Sequence, residues 1–437
     1  MSAAAIFTVD FKETPYWWEA VACSHDDAPT PHPERADVAI VGGGLTGVAA
    51  AWELVRGGRD VVVLDAVEPG EGASSRNAGM LGRHSKHAFI DLMAAQGLDT
   101  ARAFFGELRE IYDAAVRRIQ DERLDCDFRK CGRFVGALSP AHHDKLVKEF
   151  EARARHLGEE VEFVAASEPF ELGSTRYYGG VRIIENASIQ PARHYQAMRR
   201  RAEAIGARIY GLTEVIGIVR EDREFAVHTS RGIVRARDVL LATNGYSGRL
   251  APWLAERLAP INAYMIATEP LSDNLAKSVL PAHRTYTDNR RSGNYLQLSP
   301  DGTRLLFGGR TGRLPTSLRQ LAIDLYREMV FLFPQLEGVR IAHAWTGRCA
   351  ATWDYFPRTG IRDGVHYSAG YCFSGNAMAP HLGVKAARRI LGRADAHTFF
   401  AKERFPKVPL IARQPWAMPA LMSYYQWADR PVARAVV

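Results

Sequence analysis

The chain has 437 residues, 47% hydrophobic and 24% charged, more than one hydrophobic core comfortably fills, so two domains or one elaborated α/β domain are expected. Its net charge of +7 arises from 56 lysines and arginines interleaved with 49 acids; no basic arm and no nucleic-acid partner are expected, and Arg199-Arg200-Arg201 reads as a solvated helix face. No stretch approaches the ~20 apolar residues of a membrane span, and residues 1–18 carry acids with no signal-type apolar core, which points to a cytoplasmic location. The five cysteines, Cys23, Cys126, Cys131, Cys349 and Cys372, show neither a CxxC pair nor zinc spacing, so reduced thiols and no metal site are expected.

Residues 1–35 read as an extended arm in which Tyr16, Trp17 and Trp18 cover apolar surface, followed by a Pro/His/Asp-rich linker; an aromatic lid is the alternative. Residues 38–41 are a short apolar run, 47–55 have helical apolar spacing and 61–64 are a second buried run, so 37–65 is a βαβ unit. Gly42 allows a sharp turn, Gly44 lets backbone N–H groups approach a pyrophosphate at the positive end of the helix, and Gly47 lets helix and strand pack closely. Leu45 and Thr46 open that helix, and Asp65 stands where an acid accepts hydrogen bonds from a ribose. A lone GxGxxG is weak evidence, but one that follows a strand, opens a helix and ends on an acid reads as dinucleotide binding.

Small residues around Ser74, Ser75, Ala78 and Gly79 then make a loop able to lie flat on a bulky planar ligand, continued by Met80 and Leu81. Ser75, Arg76 and Asn77 offer donors to phosphate and ribose, and a plain glycine-rich turn is the alternative. Helices are expected over 99–123 and 141–157 and strands over 132–138 and 161–165, a first instalment of a second domain. Pro191 fits the first turn of a helix over 194–205, which Gly206 ends. Residues 207–215 read as a strand, 216–220 and 224–229 as a hairpin, and 238–242 as a strand running into Ala242, Thr243, Asn244 and Gly245, small residues suited to facing phosphates. Alternating runs over 258–309 are antiparallel sheet grammar, followed by a helix over 318–333 and a strand near 340–345. A strand, a glycine loop over 370–375 and a helix beginning near Asn376 close the pattern, and such a helix N-terminus stabilises negative charge on a flavin ring. The tail, 404–437, is rich in proline and aromatics and is expected to wrap the surface.

D-V-A-I-V-G-G-G-L-T-G, S-S-R-N-A-G, A-T-N-G-Y, L-L-F-G-G and G-Y-C-F-S-G-N-A-M-A-P, in this order, resemble the FAD-dependent amine and amino-acid oxidoreductases related to D-amino-acid oxidase, the DAO family, from about Pro15 to the tail. P-Y-W-W-E-A, W-T-G-R-C-A-A-T-W-D-Y-F-P and the aromatic tail look most like the branch containing gamma-glutamylputrescine oxidase. The resemblance implies an α/β fold: an arm over 1–35, a Rossmann-type FAD-binding domain over 36–93, 174–252 and 341–395, an inserted α+β substrate domain on a mostly antiparallel sheet over 94–173 and 253–340, and a tail over 396–437. It implies non-covalent FAD, with Gly42, Gly44, Gly47 and Asp65 at the ADP half, Ser75 to Gly79 beside pyrophosphate and flavin, the Val215 backbone at adenine, and Gly375, Asn376, Ala377 and Met378 at the pyrimidine edge. Asp65 replaces the glutamate common at that position.

In the family's amino-acid oxidases the segment matching 346–354 supplies an arginine for the substrate carboxylate, and laying Gly347, Thr352 and Asp354 on it puts Cys349 there. Arg348, one step along a strand, points to the opposite face. An amine lacking an α-carboxylate is therefore the favoured substrate, gamma-glutamylputrescine-like or another primary or secondary amine, and Cys349 is read as a structural thiol rather than a flavin attachment. The expected reaction oxidises a C–N bond to an imine that hydrolyses to a carbonyl, with O2 or another electron acceptor. The few lysines beyond Lys148 tilt this towards a dehydrogenase. Tyr295, Trp345 and Tyr371 are candidates for the substrate face, His84 for a proton acceptor, and Arg310 and Arg348 for substitute carboxylate clamps. The rivals are an amino-acid oxidase or dehydrogenase of the same family, a nicotinamide dehydrogenase, an FAD hydroxylase, and a non-catalytic flavin-bearing subunit. A nicotinamide enzyme leaves 242–245 without work, and a hydroxylase lacks its G-D dipeptide before the last helix.

Overall fold

The computed structural model describes residues 6–21, 31–165, 171–291, 293–309, 317–410 and 416–434, and two large sheets carry them. The first grows from the βαβ unit. Strands Arg35–Val41 and Val61–Leu64 pair in parallel, joined by the helix Leu45–Arg56, with Arg208–Tyr210 added outside Val61–Leu64 and Gly232–Leu241 on the other flank. Parallel strands are covered on both faces, which is why these runs are apolar without alternation. Val38, Ile40, Val61 and Val63 pack under a helical layer that includes Leu54, Met198 and Leu382, while Ala39, Val41, Val62 and Leu64 face Val215, Val227 and Val234 of the antiparallel meander.

The expected strand over 207–215 is broken in two. It stops at Tyr210, where Gly211 packs so closely on Pro69 that a Cβ would lie 2.7 Å from the proline ring and Leu212 takes a φ of +48°. The Thr213 N–H then bonds to the Asp65 carbonyl at 2.7 Å, and a new strand runs from Val215 to Glu221.

The second sheet has nine strands in the order Phe7–Lys12, Ile341–Ala351, Ala259–Thr268, Leu305–Gly309, Tyr295–Leu298, Thr285–Asp288, Arg133–Gly136, Gly180–Ile183, Val161–Val164. Neighbours are antiparallel except for the first pair and for Thr285–Asp288 with Arg133–Gly136. Side chains alternate across it. Phe134, Tyr286, Leu296, Phe307, Ile266 and Ala344 form a core with the helix Leu318–Leu332. The intervening residues Arg133, Thr285, Thr287, Tyr295, Gly308, Met265 and Gly347 consequently share the opposite face.

Three expectations are corrected by this sheet and the tail. The N-terminal segment is more than a covering arm, because Phe7–Lys12 is an edge strand. The strand expected near 340–345 continues to Ala351, since Ala259–Thr268 pairs with it along its length; it and Gly180–Ile183 therefore bond within the nine-stranded sheet rather than with the segments 341–395 and 174–252 assigned to the nucleotide fold. The tail contains the helix Ala417–Arg434, with Pro419 tolerated in its first turn. Among the described residues no helix is long and apolar enough to cross a membrane.

Candidate active site

One cavity of about 940 Å³ is lined from both sheets. Its first wall is built where the parallel strands end. Gly42, at φ +102°, turns the chain beside Ala242, whose carbonyl oxygen would be 2.9 Å from any Cβ there, and the Ala242 N–H bonds to the Val41 carbonyl at 2.8 Å. Gly44 precedes the helix Leu45–Arg56; a Cβ on it would lie 2.9 Å from Ser74 Oγ, which accepts the Leu45 N–H at 3.0 Å. Asp65 accepts from Gly43 N–H at 2.7 Å and Val67 N–H at 3.2 Å, and burial outweighs these bonds to push its carboxyl up to about 6.

The loop after Asp65 forms the middle wall. Asn77 ties it together: its Nδ2 donates to the Ser74 carbonyl at 2.8 Å, and its Oδ1 accepts from Gly79 N–H at 2.9 Å and from Asn376 Nδ2 at 2.7 Å. Three tryptophans hold the loop from behind: Trp17 donates to the Asn77 carbonyl at 2.8 Å, Trp18 to Ser75 Oγ at 2.9 Å and Trp345 to the Arg76 carbonyl at 2.8 Å. The last wall is the turn before the helix Gly375–Ile390, where Cys372 and Phe373 take φ of +50° and +73°, strained conformations that cluster at functional sites. Asn376 also donates to the Met80 carbonyl at 3.1 Å, while its buried Oδ1 has no partner.

Of the residues singled out from sequence, Gly42, Gly44, Leu45, Thr46, Asp65, Ser74, Arg76, Asn77, Met80, Val215, Ala242, Thr243, Gly375, Asn376, Ala377, His84, Tyr295 and Tyr371 line this cavity. Gly47 does not; its Cβ position is 2.0 Å from the Gly42 carbonyl oxygen, the close helix–strand contact its spacing suggests. Ser75, Gly79, Leu81, Gly245 and Met378 stand behind the lining. Ser75 Oγ bonds to the Gly70 carbonyl at 2.7 Å, Gly79 abuts the Ile189 carbonyl, Leu81 pairs with Ala187, Gly245 abuts the Cys349 carbonyl, and Met378 is buried in the helical core.

Two substrate-face candidates and the proton-acceptor candidate take other positions. Trp345 is 1% exposed and packs with Trp17, Met265 and Leu306, so it supports the loop instead of meeting a ligand. The Tyr371 hydroxyl donates to the Ser368 carbonyl at 2.9 Å and lies 2.6 Å from Thr46 Oγ1, so it is spent inside the protein. His84 Nδ1 accepts from Arg133 Nη1 at 2.7 Å, and burial with the cations Arg133, Arg153 and Lys86 holds its pKa well below the usual value. The neutral ring then keeps its proton on Nε2 and serves as a donor, not the expected acceptor. Tyr295 stays in place, its hydroxyl donating to the Tyr264 carbonyl at 3.2 Å.

Cys349 lines the cavity and donates weakly to the Ile261 carbonyl at 3.3 Å; Arg348 is exposed, with its guanidinium 5.6 Å from the Tyr246 ring. Arg310 lies outside the described residues. Arg133, Thr287, Met265, Tyr246 and Phe373 also line the cavity; a charged residue inside an otherwise apolar strand is the one signal that points to Arg133. A bare glycine turn beneath an open helix N-terminus, a ribose-side carboxylate and the unpartnered Asn376 Oδ1, an acceptor for a ring N–H, together fit FAD.

The family model for FAD-dependent oxidoreductases, DAO, matches residues 37–389. The chain is 32% identical to gamma-glutamylputrescine oxidoreductase of Escherichia coli (strain K12), covering 90% of this chain and 93% of that one. It is 30% identical to the probable oxidoreductase OrdL of Rhizobium meliloti (strain 1021), covering 95% and 97%. In fold it resembles the crystal structure of glycine oxidase from Geobacillus kaustophilus, with a TM-score of 0.68 at 23% identity over 87% of this chain and all of that one. Glycine turn, tied loop and closing helix thus coincide with a match over most of the chain, which belongs to the DAO family of FAD-dependent oxidoreductases.

Proposed function

We propose that this protein oxidises a C–N bond of an amine, gamma-glutamylputrescine-like or another primary or secondary amine, to an imine that hydrolyses to a carbonyl compound. The observation that carries the reading is the continuity of the cavity, from the dinucleotide crevice at Asp65 and Val215, past the N-terminus of the helix Gly375–Ile390, to the sheet face at Met265, Tyr295 and Cys349. Relatives named gamma-glutamylputrescine oxidoreductase and glycine oxidase support the same class of chemistry.

Gly42, Gly44, Asp65 and Val215 would hold the ADP half of FAD, and Asn77, Met80, Asn376 and Ala377 its ring portion; FAD bound there supplies a two-electron acceptor. The chain's own task is to orient and desolvate the substrate. Ala263, Met265 and Phe373 give an apolar wall that excludes water. The cavity's acids, Asp65 and Glu214, stand together at the Val215 end, while Lys86, Arg133 and Arg348 line it elsewhere. Their positive potential disfavours an ammonium ion and so favours the neutral amine that oxidation requires. The positive pole of the helix Gly375–Ile390 stabilises negative charge developing nearby. His84, already accepting from Arg133, takes no proton, so the amine sheds its proton to solvent before it reacts. The proposal includes a cytoplasmic place for the enzyme, supported by Cys126, Cys131, Cys349 and Cys372 forming no disulfide with one another.

Anaerobic mixing of the FAD-loaded protein with a panel of amines tests this reading through loss of the visible flavin absorbance. At least one primary or secondary amine is expected to bleach it. A panel that leaves the colour unchanged, while dithionite removes it, would refute the proposal; oxygen uptake during turnover then separates oxidase from dehydrogenase.

A further inference from the structure

Arg133 is the most deeply buried charged residue lining the cavity among the described residues. It sits on the strand Arg133–Gly136, is 1% exposed and lines the cavity with His84, Thr287 and Tyr295. Its Nη1 donates to His84 Nδ1 at 2.7 Å, its Nε contacts Thr285 Oγ1 at 3.4 Å, and its Nη2 is buried with no partner. No carboxylate bonds to it among the described residues, and burial, opposed by Cys131, pulls its pKa down to about 9. A guanidinium taken out of water normally has an acid beside it, because the uncompensated charge costs several kcal/mol. Here the neighbouring partner is a neutral imidazole whose Nε2 is likewise buried and unpartnered. The sheet register makes the arrangement deliberate: Arg133 lies beside Thr285, Thr287 follows two residues on, and Tyr295 pairs with Thr287, so the donors share the cavity face.

We infer that Arg133, with His84 holding its guanidinium in position, is an anchor for a carboxylate carried by the amine substrate. The inference rests on the amine-oxidation reading and narrows it to amino acids in the broad sense, with the carboxylate next to the oxidised C–N bond or further along the molecule. It also revises the expectation drawn from Cys349. The arginine that Cys349 replaces in the strand Ile341–Ala351 is matched by one reaching the same cavity from the strand Arg133–Gly136, several strands across the sheet. Arginine suits the task because its fork of N–H groups pairs with two oxygens at once, and a free Nη2 is half of such a fork.

The test uses the FAD-loaded protein and two readouts. In the first, acetate and propionate are titrated while the flavin absorption spectrum is followed. Saturable perturbation is expected in the wild type and at least about tenfold weaker binding in Arg133→Met, the loss typical of one charge-assisted pair. FAD content and melting temperature of the variant establish that it is folded. In the second, which needs no variant, rates of anaerobic flavin reduction are compared for butylamine, norvaline and delta-aminovalerate. A carboxylated member at least about tenfold better in rate over half-saturating concentration supports the anchor, and which of the two is better locates the carboxylate. Absence of carboxylate binding together with butylamine as the best substrate overturns the anchor while leaving amine oxidation intact. Carboxylate binding that depends on Arg133 with no reduction by any amine would instead overturn the reaction and keep the anchor.

Discussion

Gly44 and Gly47 lie three residues apart in the same motif yet face different neighbours, and substitution separates their tasks. At Gly44 an added methyl meets only Ser74 Oγ, at 2.9 Å, with no other atom within 4 Å. Alanine there loosens the bond from Leu45 N–H, so the apoprotein loses at most ~1 kcal/mol and FAD affinity falls only modestly. Valine fills the space in front of the helix N-terminus; losing two charge-assisted bonds to a pyrophosphate, at ~1.5–3 kcal/mol each, lowers affinity by roughly two to four orders of magnitude. At Gly47 the methyl would sit 2.0 Å from the Gly42 carbonyl oxygen and 3.2 Å from Ile40 Cγ2. The helix Leu45–Arg56 must then lift off its strand, costing ~1–3 kcal/mol or more in the apoprotein itself. FAD titration of apoprotein by fluorescence quenching, with urea unfolding of the same samples, reads both effects. A Gly44→Val protein with full FAD content, or a Gly47→Ala apoprotein as stable as wild type, would refute this division of labour.

Asp65 titrates near 6 instead of 3.8 when folded, so its contribution to apoprotein stability is fully present below the ordinary value and is lost as pH rises through 6. FAD, through its ribose hydroxyls, favours the ionised form; its affinity is expected to weaken as pH falls through 6, and Asp65→Asn to flatten that profile, with equal dissociation constants on both sides of pH 6 in the wild type as the contrary result. Trp17 is fully buried and holds the Asn77 carbonyl; Trp17→Ala is expected to cost ~3–5 kcal/mol in urea unfolding and to loosen FAD, and a cost under ~1 kcal/mol would show that the N-terminal segment is dispensable. Cys349 bonds within its sheet, so acid precipitation is expected to release all FAD to the supernatant, and a washed pellet that stays yellow would establish a covalent link.

The elements read best from sequence are those whose signal is local. The helices Leu98–Asp121, Pro140–Leu157 and Leu318–Leu332 fall within a residue or two of their apolar periodicity, and the turn at Gly42 is announced by the strand and helix around it. Features set by distant pairing were hidden. The strand Ile341–Ala351 runs through Gly347, Arg348 and Cys349, an unpromising sequence that stays extended because Asn262 and Ile261 pair with it. The surroundings of Trp345 come from Trp17, more than three hundred residues away, which no local pattern reveals. The Arg133 bond that occupies His84 Nδ1 joins residues 49 apart, a contact no spacing encodes. The helix Ala417–Arg434 was obscured by its own prolines, which argue against a helix unless one of them falls in the first turn.

The closing helix has a consequence for synthesis. Gly375–Ile390 packs in one core with Leu45–Arg56, and its Asn376 completes the tie to Asn77, yet Asp65 and Gly375 are 310 residues apart in the chain. At ~5–20 residues per second, about 15 to 60 seconds pass on the ribosome between completion of the βαβ unit and arrival of the helix that seals it. Throughout that interval the face of Leu45–Arg56 that meets Gly375–Ile390 lacks its cover, and the nascent chain carries a complete GxGxxG motif without the Asn376 end of the crevice. Cofactor loading is therefore a late event, and a chain interrupted anywhere before Gly375 is expected to be a client for chaperones rather than a small FAD-binding domain.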